Sequence, residues 1–177
     1  ELIEAFFRHV HDTIVRTQVP FNAEPPSAVL AGADLTPLDA FYSRNHAAFP
    51  DISAEDWHVT IDGMVDTPLD LTYDRLTEEF AADSVIATLV CAGNRRAELL
   101  NVCPIPGKEP WAHGAISTAE WHGARLADVL HAAGVKAGEG LHVAFTATDV
   151  AQEASPAQAF GSSIPLDKAM SSEVLLA

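Results

Sequence analysis

Cys91-Ala92-Gly93-Asn94-Arg95-Arg96 sets a thiol, a carboxamide and two guanidinium groups close together on the chain. Small residues separate the thiol from the rest, so the backbone there can approach a ligand closely. Arginines beside a thiol favour its thiolate, the form that binds metals and attacks electrophiles. A thiolate is a soft ligand and suits a thiophilic metal better than magnesium or calcium. A second polar group, Tyr42-Ser43-Arg44-Asn45-His46, offers another guanidinium and an imidazole. A planar guanidinium can hold two oxygens of an anion at once. Trp111 adds an indole N–H that only donates. Taken singly, each residue also has a structural reading. Cys91 could be a core thiol, Arg44 a surface residue, His46 a hydrogen-bonded loop histidine and Trp111 simple packing.

The elements around these residues follow from periodicity. Val85 to Val90 is an apolar, largely β-branched run and reads as a buried strand that delivers Cys91 to a loop. Leu2, Phe6, Val10 and Ile14, widened by Ile3 and Phe7, give an amphipathic helix over 2–15. Residues 16–34 contain three prolines and read as an extended surface arm. Thr36-Pro37-Leu38-Asp39 starts a short helix leading into the Arg44 loop. Trp57, Val59 and Ile61 alternate with polar residues as a half-buried strand, with Leu69 to Leu71 as its partner. Thr72 and Asp74 open a helix to about Phe80. Most of 97–112 reads as loop. Leu126, Val129, Leu130 and Ala133 mark one helical face, closed by Gly134. Leu141 to Ala147 alternates as a strand, and Glu173 to Ala177 begins another. Irregular helices between strands, without βαβ alternation, give an α+β fold with a mixed sheet.

The 177 residues suffice for one domain with a substantial core, and no apolar run approaches a membrane span. A formal charge of -15 argues against nucleic acid and anionic membranes as partners. Against that acidity, Arg44, Arg95 and Arg96 falling in two short motifs suggest a held anion. Cys91 and Cys103 lie in unlike surroundings, and a disulfide between them sits badly with a thiol ending a buried strand. The chain starts at Glu1 and ends in a strand-like segment, so both ends read as cut. No signal peptide is legible; the composition fits a soluble protein, and cytoplasm or periplasm is left open.

The cysteine motif resembles that of the sulfite oxidase family of molybdenum enzymes, which includes eukaryotic assimilatory nitrate reductases. Four further segments agree in order: Pro20-Phe21-Asn22-Ala23-Glu24-Pro25-Pro26, Phe41 to His46, Trp111 with Gly114-Ala115-Ile116-Ser117, and Gly161-Ser162-Ser163-Ile164-Pro165-Leu166. The resemblance implies an α+β, mixed-sheet molybdopterin-binding domain over 35–177, incomplete at its C-terminal side, behind an N-terminal helix and arm over 1–34. It implies a molybdenum–molybdopterin cofactor with Cys91 as the protein's metal ligand. Tyr42, Ser43, Arg44, Asn45, His46 and Asp149 would contact the cofactor. Arg44, Arg96 and Trp111 would form the catalytic anion pocket, with Arg95 nearer the cofactor or structural. Phe160 stands where the family usually has tyrosine. The family's catalytic tyrosine and later cofactor-binding residues would lie beyond residue 177.

The implied activity is oxidation of sulfite to sulfate, with electrons passed to an acceptor such as a cytochrome or oxygen, possible homodimerisation resting on the missing C-terminal part. Nitrate or sulfoxide reduction on the same fold is the alternative. A different class is a zinc-stabilised module built from Cys91, Cys103, His113 and His122.

Overall fold

A computed structural model of the chain describes residues 13–151 and 156–177. It opens with a hairpin of β1 (Ile14–Thr17) and β2 (Asn22–Glu24), antiparallel, with Ile14 opposite Glu24 and Val15 opposite Ala23. The Val19–Pro20 peptide bond between them is cis. Residues 2–12 of the expected first helix lie outside the described residues. Its last two apolar positions, Ile14 and Val15, are strand instead. Both are β-branched and find cross-strand partners in β2, which a helix would have denied them.

The arm expected over 16–34 is likewise more than a surface strap. Asn22, Ala23 and Glu24 are all buried, and α1 (Ser27–Ala31) follows Pro26. Thr36-Pro37 leads into a single 3-10 turn, Leu38–Ala40, rather than a longer helix.

β3 (His58–Ile61) and β4 (Leu69–Thr72) form an antiparallel pair, as their alternation predicts. α2 (Tyr73–Glu79) starts at Thr72, whose hydroxyl accepts from the Arg75 amide at 3.3 Å. Such a cap contributes about 1 kcal/mol. β5 (Ala82–Val90) leads to Cys91, α3 (Arg96–Leu99) is one turn, and β6 (Ile116–Arg125) runs straight into α4 (Leu126–Ala132). Gly134 closes α4 with φ +70°, a left-handed conformation that glycine adopts without a Cβ clash. β7 (His142–Ala151) pairs antiparallel with β8 (Gln158–Pro165), α5 (Leu166–Ala169) follows, and β9 (Leu175–Leu176) lies antiparallel to the end of β6. The order β5–β6–β9 makes the three-stranded sheet. Helices and strands in this irregular succession are the α+β arrangement expected.

The chain divides into two compact units. One holds the described residues up to Phe49 together with Ile86–Glu120; the other holds Pro50–Val85 and Trp121–Ala177. The second unit has a hydrocarbon interior. Leu71, Leu76, Ala124 and Val129 form one buried cluster, and Leu126, Leu130 and Ala169 another.

The first unit is built differently. Its fully buried large side chains are Trp111, Glu24, Asn22, Pro25 and Ser117, three of them polar. Hydrogen bonds, not bulk hydrocarbon, therefore determine its internal geometry.

One expectation about the strand before the thiol needs correcting. No residue of β5 is buried; Ile86 is 64 % and Val90 58 % exposed. The apolar run reads as continuous core by composition, yet residues 83–88 alternate between exposed and half-buried, the period of a strand covered on one face.

Candidate active site

All the candidate cofactor- and anion-pocket residues except Asp149 fall in the first unit, and the motif over 161–166 falls in the second. Cys91 directly follows β5, half-buried, its thiol free. Its amide donates to the Ala115 carbonyl at 2.9 Å, and its own carbonyl accepts from the Asn94 amide at 2.9 Å. The Gly93 N–H points back at the sulfur, 3.4 Å away, and sets the direction of the side chain. Cys103 is also a free thiol and is exposed, so the two cysteines are not bridged.

Arg95 adopts φ 66°, the left-handed region. For a residue with a Cβ this costs roughly 1–2 kcal/mol. The turn it makes sends its own amide to the Ala112 carbonyl at 2.7 Å. The Arg95 side chain turns to Glu98, at 2.7 and 2.8 Å, and stays exposed. His113 Nε2 reaches the same carboxylate at 3.0 Å. Arg95 is thus a surface ion-pair residue.

Arg96 behaves otherwise. Its guanidinium lies across Gly93, where a Cβ would overlap it, and donates to the Glu109 carbonyl at 2.8 Å. A side chain at position 93 would displace the guanidinium from its place beside the N–H that faces Cys91.

Trp111 is 0 % exposed. Its carbonyl accepts from the Ala97 amide at 2.9 Å, which ties it to the first turn after the cysteine loop. The indole Nε1 is buried and, among the described residues, has no hydrogen-bond partner. An unpaired buried donor costs free energy unless something accepts from it.

The Tyr42–His46 segment docks on β2. Ser43 and Ala23 exchange backbone hydrogen bonds at 2.8 and 3.0 Å, and the Tyr42 amide donates to Ser117 Oγ at 3.1 Å. The Asn45 amide donates to Asn22 Oδ1 at 2.7 Å, and Arg44 Nη1 donates to the same oxygen at 3.3 Å. The Asn45 carboxamide reaches the Phe21 carbonyl at 2.6 Å and Ser43 Oγ at 3.0 Å. Arg44 also donates to the Asn45 carbonyl, and its Nη2 lies 3.1 Å from both ring nitrogens of His46.

Two titratable groups register the local charge. Burial, then negative charge at Cys91, pushes the Tyr42 hydroxyl above its ordinary range. Burial, then the positive charges of Arg44 and Lys108, holds the His46 imidazole below its usual range. Lys108 therefore joins Arg44 as a positive charge acting on His46. A lysine in a glycine- and proline-rich loop gave no sequence signal of this.

Asn22, Glu24, Asn94 and Ser117 stand inside the motifs, but their task is not legible there. Each is polar with its side-chain oxygen spent on backbone amides, a role that only the folded backbone reveals. Asp149 lies half-buried in the irregular stretch of β7 between Thr146 and Val150, within the second unit. Phe160 is exposed on β8.

The zinc arrangement does not form. Among the described residues there is no group of three or more His, Cys, Asp or Glu side chains able to hold a metal ion. Among the same residues no helix is long and apolar enough to cross a membrane.

What does form is suited to a cofactor that brings most of its own ligands. One free thiol, a guanidinium seated over the adjoining Gly93 and, among the described residues, a partnerless buried indole N–H fit an anionic, sulfur-ligated metal group, while Arg44 and Lys108 make the His46 arm of the same unit positive.

Comparison with known proteins agrees. Residues 46–177 match the family model described as the oxidoreductase molybdopterin binding domain. The chain is 43 % identical over 167 residues to sulfite oxidase of Gallus gallus, covering 92 % of this chain and 36 % of that protein. It is 42 % identical to the mitochondrial sulfite oxidase of Homo sapiens, over 92 % of this chain and 30 % of that one. Nitrate reductase [NADH] of Hordeum vulgare is 44 % identical over 129 residues, 71 % of this chain and 14 % of its own length. Among solved structures, the sulfane dehydrogenase SoxCD from Paracoccus pantotrophus superposes with a TM-score of 0.71 at 26 % identity, over 94 % of this chain and 41 % of that one. The chain thus spans about a third or less of the curated relatives it matches. On the match over residues 46–177, the chain belongs to the family of oxidoreductase molybdopterin-binding domains.

Proposed function

We propose that this chain is part of a molybdenum-dependent oxidoreductase that converts sulfite to sulfate, with Cys91 as the protein's ligand to the metal. When bound, the molybdenum–molybdopterin group supplies oxygen-atom transfer, and the two electrons released pass to a cytochrome or to oxygen. Cys91 offers a fixed thiolate, aimed by the Gly93 N–H. Tyr42, Ser43, Asn45 and His46 form the wall on the cofactor side, and Asp149 is an acceptor for pterin N–H groups. Arg44 and Arg96 hold the oxyanion, both pre-oriented by hydrogen bonds to Asn22 Oδ1 and the Glu109 carbonyl. Arg44 acts with Lys108 as an electrostatic attractor in a chain that is otherwise strongly acidic. We assign cofactor binding to 35–177.

The observation that supports this most is Trp111 Nε1, a buried donor with no partner among the described residues, which a bound acceptor would satisfy. The 41–43 % identity to several sulfite oxidases favours sulfite as the substrate. Nitrate reduction is the second reading, favoured by the 44 % identity to a plant nitrate reductase.

Arg44→Gln in the cofactor-loaded protein tests the site. Losing one charge-assisted bond to the anion should raise the KM for sulfite roughly tenfold or more, with kcat changed far less. An unchanged KM places Arg44 outside the pocket. Nitrate turning over faster than sulfite in the unmutated protein selects the second reading.

A further inference from the structure

We propose that Glu24 is a positioning residue: its buried carboxylate fixes the Trp111–Ala115 segment in register with the cysteine loop. The proposal rests on the site reading above. Glu24 is 0 % exposed, yet nothing about its place in β2 requires an acid. Its two oxygens are divided between two amides of the same segment. Oε1 accepts from Ala112 N–H at 2.8 Å and Oε2 from Gly114 N–H at 2.7 Å, while the Arg16 guanidinium pairs with Oε1.

The segment's other edge faces the thiol. Carbonyls of Trp111, Ala112 and Ala115 accept from the amides of Ala97, Arg95 and Cys91 at 2.9, 2.7 and 2.9 Å. Asn94 Oδ1 returns one bond, accepting from Ala115 N–H at 3.2 Å. Residues 111–115 are therefore a backbone rail, gripped along one side by a carboxylate and along the other by the loop that carries Cys91.

Gly114 allows this grip. A Cβ there would overlap the Pro25 carbonyl and meet the Glu24 Cβ at 2.9 Å, so the rail runs in backbone contact with β2. A buried charge is a poor source of bulk stability, because hydrocarbon of the same volume avoids its desolvation. What a carboxylate does that hydrocarbon cannot is to specify where two N–H groups must lie. Neighbouring Asn22 does the same for the Arg44 arm, through Oδ1 to the Asn45 amide and Arg44. One short strand thus aligns both halves of the proposed site.

The test follows the thiol rather than turnover: in the full-length protein free of cofactor, alkylation of Cys91 is read by mass spectrometry on the peptide that carries it, apart from every other cysteine. Glu24→Gln keeps the size but cannot accept both amides. It should raise the rate of Cys91 alkylation by iodoacetamide about fivefold, as expected from losing one net hydrogen bond, at a temperature well below its melting point. Arg16→Gln leaves both amide bonds in place but takes the ionic partner from a buried carboxylate; it should lower the melting temperature clearly, with the alkylation rate well below that temperature within about twofold of the parent. An unchanged rate in Glu24→Gln, or an equal rise in Arg16→Gln, overturns the proposal and leaves Glu24 only half of an ion pair.

Should Glu24→Gln fail to fold, hydrogen exchange on the unmutated protein decides. The amides of Cys91, Ala112 and Gly114 should open with one common free energy; separate openings overturn the coupling. None of these readouts depends on molybdenum or sulfite, so their failure and the failure of the proposed activity are distinguishable.

Discussion

His46 illustrates how single residues report on the proposed pocket. Burial, Arg44 and Lys108 together favour its neutral form, so the pocket's positive charge near neutral pH rests on Arg44 and Lys108. The folded state binds this proton more weakly than the unfolded chain. Stability should therefore rise with pH through the window between the lowered folded pKa and about 6.5, and fall as acid drives the unfolded imidazole to take its proton. Replacing His46 with Gln should flatten that part of the stability–pH profile in urea titrations at successive pH values. An undiminished slope in the variant would place its origin in other groups. Cys91, Arg44, Arg96 and Trp111 stand out in the sequence through the family motifs that hold them, and the fold gathers all four in the first unit. The contribution of Lys108 does not stand out, since a lysine between Gly107 and Glu109 resembles any solvated loop residue.

At the scale of elements, sequence patterning succeeded where a hydrophobic period decides the fold. The β3–β4 pair, the Thr72-capped helix and the Gly134 stop all appear where alternation, capping and a left-handed turn predict them. It failed where polar residues do the packing. Asn22 and Glu24 lie among prolines and read as a solvated arm, yet they are the buried centre of their unit. Only the amides of residues 45, 112 and 114 explain them, and those come from distant parts of the chain. β5 failed in the opposite direction, being apolar throughout most of its length but half-covered at best.

These two kinds of interior should respond differently to mutation. Leu71 is 0 % exposed in the hydrocarbon cluster with Val129 and Leu76. Leu71→Ala should cost about 2–5 kcal/mol of unfolding free energy by chemical denaturation. A loss under about 1 kcal/mol would mean that the cluster collapses around the cavity.

At the scale of the whole molecule, the division of labour is between a hydrocarbon-filled unit and one ordered by buried polar groups that carries nearly every residue of the proposed site. A site tolerant of a large anionic cofactor is easier to build from hydrogen-bonded loops than from a packed core, because the loops present N–H groups and guanidiniums directly. Against a net charge of -15, which by itself repels anions, the cations Arg44, Lys108 and Arg96 supply the local positive charge that an oxyanion needs.

The account stands or falls on the sulfur of Cys91. Molybdenum K-edge X-ray absorption on the purified, cofactor-loaded protein reads the metal's sulfur neighbours directly. With Cys91→Ser the account predicts one fewer sulfur at the metal, with pterin still bound and turnover lost. The same number of sulfur neighbours in the variant as in the parent would contradict it.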